Sequence, residues 1–358
     1  MKMVDKVDVP ILKTEEEIGL YLRRHLKELI PGIKVLATHH ELRDKGQAID
    51  ILIDADIGGV KKILVCEIKS VGEPRYLFQA IGKLKQITSS IHNSYAVIVA
   101  PFISERGQDI CKVNEIGYID LSGNVFLKFR SVYIEKVGKK QLQKSRKTLK
   151  RLFSPVSSRI IRVLLEDPQR TWRLIKISEE SKASLGYVHK VINSLHEQGY
   201  VEKEKTGIKI TEPGKLLDLW AEEYDFSLNK VYSFYSFIKE PLKIMQRIEE
   251  ASRKLGSDYA MTMHAGASLV APFVRFTDVH FYFMGDHTKW VKELDLRPIE
   301  FGSTIHLIEP YDSSILYKTR KIKDFKVASN IQLYLDLYKY PTRGAEQAEY
   351  LRKEKIGY

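Results

Sequence analysis

The sequence of 358 residues predicts a multidomain α/β protein, and three observations carry that expectation. Helical and strand patterns alternate over the first 138 residues, as in an α/β domain. Three short helical segments and then a strand pair occupy residues 155–212. Between the two regions lies KKQLQKSRKTLKR, residues 139–151, whose seven lysines and arginines stand without an acid and hold more than half of the net charge of +12. At roughly 100–200 residues per domain the length allows two or three domains. The boundaries fall at 1–138 for an N-terminal α/β domain, 139–151 for a basic linker, 152–224 for the helices and strand pair, and 225–358 for a C-terminal α+β domain.

Residues 14–30 read as a helix, because Thr14 can cap it, acids fill the first turn and Pro31-Gly32 ends it. Ile18, Leu22, Leu26 and Leu29 share one face. Residues 47–53 and 61–69 read as strands rich in β-branched side chains, with Gly58-Gly59 as a turn between them. A helix over 74–92, a buried strand YAVIVAPF at 95–102 and a short helix over 104–115 follow. The strands GYIDL and VFLKF are parted by Ser122-Gly123-Asn124.

The central region is more specific. A first helix over 156–166 turns Ile160, Val163 and Leu164 inward, and a second over 172–181 buries Leu174 and Ile177. Lys182-Ala183 makes a turn, and Ser184 caps a third helix over 185–198. Leu185, Val188, Ile192 and Leu195 form its apolar stripe at helical period. The opposite face offers Gly186, Lys190 and Asn193, flanked by Tyr187 and His189. The strands YVEKEK and IKIT, joined at Thr206-Gly207, carry Lys203, Lys205 and Lys209. This is the pattern of a winged helix-turn-helix, whose third helix enters the major groove of duplex DNA. Lysines and arginines would contact phosphates, with Lys144, Arg146 and Lys147 of the basic linker among them. Residues 213–235 read as a further helix with an aromatic tail, VYSFYSF.

Asp50 in AIDILID is followed by Glu67 and Lys69 in CEIKS. Residues two apart on a strand share a face, so Glu67 and Lys69 point together, and the hairpin brings Asp50 alongside. Two carboxylates suit Mg²⁺, which takes hard oxygen ligands, and such a metal activates water against a phosphodiester while a lysine stabilises the charge that develops. Residues 14–135 therefore resemble the PD-(D/E)xK nuclease superfamily, although Ile49 stands where the signature has proline. The resemblance implies a restriction-endonuclease-like fold, with Asp50, Glu67, Lys69 and Gln79 of FQAIGKL as catalytic residues. It implies Mg²⁺ held by Asp50, Glu67 and an acid of the first helix, for which Glu15 is preferred.

From GYIDLSGN (117–124) to the C-terminus the chain resembles the AbiEi-type transcriptional regulators, antitoxins of type IV toxin–antitoxin systems. The matching stretches include LFSPVSSRIIRVLLEDP (152–168), SLGYVHKVINSL (184–195), ITEPGKLLDLWAEEY (210–224), APFVRF (271–276) and IQLYLDLYKYPTRGAEQAEYLRK (331–353). That resemblance implies an autorepressor of promoter DNA with a nucleotidyltransferase-like toxin as partner. The nuclease-like domain is an addition to that pattern. It keeps open a Mg²⁺-dependent DNA endonuclease targeted by the winged helix. Cys66 and Cys111 lack metal-site spacing and read as buried thiols, and His264 and His280 as structural histidines. No apolar run reaches the roughly 18 residues needed to span a bilayer, and no signal-peptide core opens the chain, so a cytoplasmic protein is expected. A homo-oligomer is left open.

Overall fold

A computed structural model describes residues 14–44, 47–138 and 152–358. These divide into two compact units, Met1–Thr148 with Ser194–Gly199 and Leu149–Asn193 with Tyr200–Tyr358.

In the first unit Thr14 and Glu17 cap helix α1 (Glu15–Leu29) reciprocally. The Glu17 amide donates to the Thr14 hydroxyl and the Thr14 amide to the Glu17 carboxylate, both at 3.1 Å. Three glutamates in the first turn complement the helix dipole. Strand β1 (Ile33–Asp44) then pairs antiparallel with β2 (Gln47–Ile57), and β2 with β3 (Val60–Ile68). The β2–β3 turn is Gly58-Gly59, with φ of 60° and 85°, a conformation that side chains resist and two-residue hairpins favour. Helix α2 (Pro74–Ser90) crosses over to β4 (Ser94–Ala100), which runs parallel to β3, and α3 (Glu105–Val113) to β5 (Gly117–Asp120), parallel to β4. Antiparallel β6 (Val125–Phe129) and β7 (Val132–Lys136) complete a seven-stranded sheet in sequential order. One apolar cluster joins α1 to one face, through Ile18, Leu22, Ile51, Ile53, Leu64 and Cys66. A second joins α2 to the other, through Leu77, Ile81, Leu84, Val65, Ile98 and Cys111. Burial pushes both thiols up to about 12, as expected of structural cysteines. The strands β1 and β7 were not expected, since IKVLATHHELRD and VYIEK show little clean alternation.

The second unit opens with helices α4 (Pro155–Glu166), α5 (Leu174–Ser181) and α6 (Leu185–Glu197), followed by strands β8 (Val201–Glu204) and β9 (Gly207–Ile210). Four local expectations are corrected. Trp172 precedes α5 as a bridge to Ile208, each amide donating to the other's carbonyl at 2.7 Å, because its indole is buried under the hairpin. Leu174, at the exposed start of α5, is only half-buried. Leu185 is 47% exposed at the first position of α6, ahead of the turns that pack on the core. The hairpin turn is Lys205-Thr206, so Gly207 opens β9 instead of completing the turn. Gly207 has φ +148°, and a Cβ there would sit 2.5 Å from the Trp172 carbonyl oxygen.

Helix α7 (Pro213–Glu223) is shorter than expected. Its aromatic tail is instead strand β10 (Lys230–Tyr235), as suits alternating Val, Tyr and Phe once the helix has ended at Tyr224. Helix α8 (Pro241–Leu255), β11 (Tyr259–Thr262), α9 (Met263–Val270), β12 (Val279–Phe283), α10 (His287–Glu293), β13 (Arg297–Pro298) and β14 (Ile305–Glu309) follow. The chain ends with β15 (Arg320–Ile322), β16 (Phe325–Val327), α11 (Asn330–Tyr338) and α12 (Gly344–Leu351). The mixed sheet has the order β13-β10-β14-β12-β11-β16-β15, with β12–β14 and β11–β16 parallel and the other pairs antiparallel. At its centre the Asp336 carboxyl is enclosed. Tyr224 and Tyr282 donate to it at 2.9 Å, Gln332 Nε2 at 2.6 Å and Thr262 at 2.5 Å.

Burial raises the Asp336 carboxyl to about 6, against the four donors, which act to lower it. A carboxyl raised in the folded state loses stabilisation as pH rises from its unfolded value, about 3.9, through the folded one. Relative to wild type, Asp336→Asn should therefore be more stable by about 1–3 kcal/mol at pH 7 than at pH 4, read from urea melts of the second unit. An equal difference at both values would show that Asp336 is ionised to the same extent folded and unfolded.

Candidate functional sites

The β2–β3 register runs from Ile57↔Val60 to Ile51↔Cys66, and one further step sets Asp50 across from Glu67. Asp50 is tied to the neighbouring strand, its Oδ2 accepting the Ile68 amide at 2.7 Å. Glu67 is almost fully buried and both its oxygens are engaged. Lys69 donates to Oε1 at 2.7 Å and Lys83 to Oε2 at 2.5 Å. Glu15 comes within 3.9 Å of the Lys69 ammonium. The structure gathers Asp50, Glu67 and Lys69, whose spacing suggested it, sets Glu15 of the first helix within reach of Lys69, and adds Lys83. That residue escaped the sequence reading. Its signal was its place one helical turn after Gln79, which puts both on one side of α2; Gln79 itself is exposed.

Burial raises the Asp50 carboxyl, helped by the Glu67 charge and opposed by the Ile68 amide and the two lysines. For Lys69, burial acts to lower the ammonium, but the bond to Glu67 and the charges of Glu67, Glu15 and Asp50 outweigh it and leave it raised. The cluster is charge-compensated from within. Among the described residues no group of three or more His, Cys, Asp or Glu is placed to hold a metal ion. Asp50 and Glu67 have the hard oxygen chemistry that Mg²⁺ takes, but both Glu67 oxygens are occupied by ammonium groups. In this arrangement the residues do not fit a metal.

The second site is the outer face of α6. Ser184 caps the helix, its hydroxyl accepting the Tyr187 amide at 3.4 Å. Ser184, Gly186, His189 and Lys190 are exposed, as are Lys203, Lys205 and Lys209 on the hairpin. Two residues expected on this face are engaged elsewhere. The Tyr187 hydroxyl turns back to Ser157 at 3.0 Å and Ser154 at 3.4 Å, and those hydroxyls, Ser154 foremost, hold the phenol below its usual range. Asn193 meets His189 at 3.3 Å and accepts from Lys203, which ties the hairpin to α6. Lys144, Arg146 and Lys147 lie outside the described residues.

His280 stacks on His306 with ring centroids 4.1 Å apart, and His264 bonds the Thr342 carbonyl at 2.7 Å. Burial depresses His280 to about 3, so it is a neutral packing group at ordinary pH.

A family model described as transcriptional regulator, AbiEi antitoxin, type IV toxin–antitoxin system matches residues 209–357. Residues 209–357 of this chain are thus similar to the AbiEi-type regulators. This AbiEi-like region contains the Asp336 network and the whole sheet from β10 to β16. A crystal structure of a repair endonuclease from Pyrococcus abyssi is similar at 16% identity with a TM-score of 0.25, covering 30% of this chain and 47% of that one. A structure of an EndoMS–dsDNA2 complex matches at 16% identity with a TM-score of 0.25, covering 33% and 48%. The chain spans about half the length of these solved structures. No curated protein matches the sequence. Among the described residues no helix is long and apolar enough to cross a membrane.

The double clamp on Glu67 predicts strong coupling. A double-mutant cycle pairing Glu67→Gln with Lys83→Met should return about 0.5–3 kcal/mol in urea unfolding, since Lys83→Met strips the buried Glu67 of one of its two ammonium partners and Glu67→Gln takes the carboxylate from Lys83. A coupling near zero would show that the Lys83 contact contributes nothing to stability.

Proposed function

We propose that the protein is a DNA-binding transcriptional regulator of a type IV toxin–antitoxin or phage-defence system, acting as an autorepressor. The observation that carries this is an exposed, polar and basic α6 face beside a basic hairpin, in a chain whose residues 209–357 match an antitoxin regulator family. In this reading α4, α5, α6 and the β8–β9 hairpin form a winged helix-turn-helix. Ser184, Gly186 and Lys190 meet base edges in the major groove, and Lys205 and Lys209 meet phosphates. Tyr187, Asn193 and Lys203 hold α6 and the hairpin in place instead. The AbiEi region would engage a nucleotidyltransferase-like toxin. A second reading, a Mg²⁺-dependent DNA endonuclease, is favoured by the convergence of Asp50, Glu67 and Lys69 on one sheet face. It requires Lys83 to leave Glu67 before a metal binds Asp50 and Glu67.

A gel-shift titration should show duplex binding at low salt that weakens steeply as salt rises, by roughly 0.9 in the log–log slope per phosphate contacted. Lys190→Ala should cost about 1–3 kcal/mol and relax sequence preference. Absence of binding at low salt would overturn the regulator reading. For the second reading, the wild type should cut DNA with Mn²⁺ while Asp50→Ala and Lys69→Ala do not. An uncut substrate set, or cutting by both variants, removes it.

A further inference from the structure

The stretch from Lys318 to Lys326 in the AbiEi region carries Lys318, Arg320, Lys321, Lys323 and Lys326 against one acid, Asp324. Two of these cations serve the fold. Lys326 pairs with Asp258 at 2.6 Å, and Arg320 donates to Asn330 and faces the Glu166 charge. Lys318, Lys321 and Lys323 are exposed. The nearby Glu249 is turned to Arg253 at 2.7 Å.

Two of the three sit in the left-handed backbone region. Lys318 has φ 57° and Lys323 φ 54°, a region that costs a residue with a Cβ roughly 1–2 kcal/mol. Lys323-Asp324 is the two-residue turn between Ile322 and Phe325, and of the pair only Lys323 has positive φ, the place where glycine is favoured in such turns. A cation is kept at two positions where glycine or asparagine would fit better, and strain held in this way points to use.

Their location supplies the use. Arg159 of α4 grips Asp312 through Nε at 2.9 and 3.0 Å. The Tyr317 hydroxyl donates to Glu180 of α5, and Arg320 faces Glu166 at the end of α4. Residues 312–320 are thereby fastened along α4 and the end of α5. Glu180 precedes Lys182, itself at φ 53° in the turn into α6, by two residues and the Ser184 cap by four. Four residues span at most ~14 Å.

We propose that Lys318, Lys321 and Lys323 form a second phosphate-gripping surface, continuous with Lys182, that holds the duplex backbone beside the site read by α6. The inference rests on the duplex-binding reading above. Exposed ammonium groups complement phosphate charge and carry no sequence information. The surface would therefore add affinity equally on every sequence, and the AbiEi region would take part in DNA binding itself.

The test uses the full chain and fluorescence anisotropy across a salt series. The probes are a labelled duplex selected from a random pool by the wild type, and its scrambled counterpart. The variant is Lys318→Asn with Lys321→Gln and Lys323→Asn, because asparagine accepts the left-handed conformation and keeps the fold. The log–log salt slope should become shallower by about 2–3, and affinity should fall by the same factor on both duplexes. An unchanged slope in a wild type that binds, or a loss confined to the selected duplex, overturns the proposal. Failure of the wild type to bind either duplex instead overturns the reading on which it rests.

Discussion

A carboxyl group sealed from water must be satisfied by protein, and in the second unit that demand falls on Asp336. Its partners come from the end of α7, from β11, from β12 and from its own helix α11, so four elements are held to one point. Apolar packing around it is non-directional, whereas these donors each admit one geometry. The element order alone would allow several ways of laying α11 on the sheet. The carboxyl selects one.

Legibility in the sequence followed the strength of local signals. Helix α1 was readable because capping, acids and a Pro-Gly stop agree. The β2–β3 hairpin was readable because two glycines separate β-branched runs. These two elements place Glu15, Asp50, Glu67 and Lys69, so most of the first cluster could be read before any fold was known. Lys83 could not, because its role depends on a helix crossing back over β3 at a distance that periodicity does not encode. Strand β1 was missed because its polar residues hide the alternation, and β10 was taken for a helix tail because aromatic runs suit either element. Tyr187 and Asn193 were placed on the outer face correctly as helical positions, but side-chain hydrogen bonds that sequence spacing does not reveal turn them to other tasks.

The two candidate sites differ in how their charges are resolved. Around Glu67 the lysines and carboxylates neutralise one another within the fold, so any incoming cation competes with ammonium groups already in contact. Around α6 and the β15–β16 hairpin several cations project into solvent, and among the described residues no carboxylate is drawn close to Lys190, Lys205, Lys209, Lys318, Lys321 or Lys323. The first arrangement screens its charges within the fold, whereas the second leaves them to solvent and ions.

Gly207 carries a different kind of consequence. Because any side chain there would strike the Trp172 carbonyl, the position is closed to substitution for as long as the Trp172–Ile208 bridge exists. The adjacent tip, Lys205-Thr206, is open to solvent and bears no such restriction. Divergence within a lineage should therefore accumulate at the tip while the tryptophan–glycine pair stays fixed. Relatives can then be aligned on that pair even where the tip and the exposed face of α6 have drifted apart.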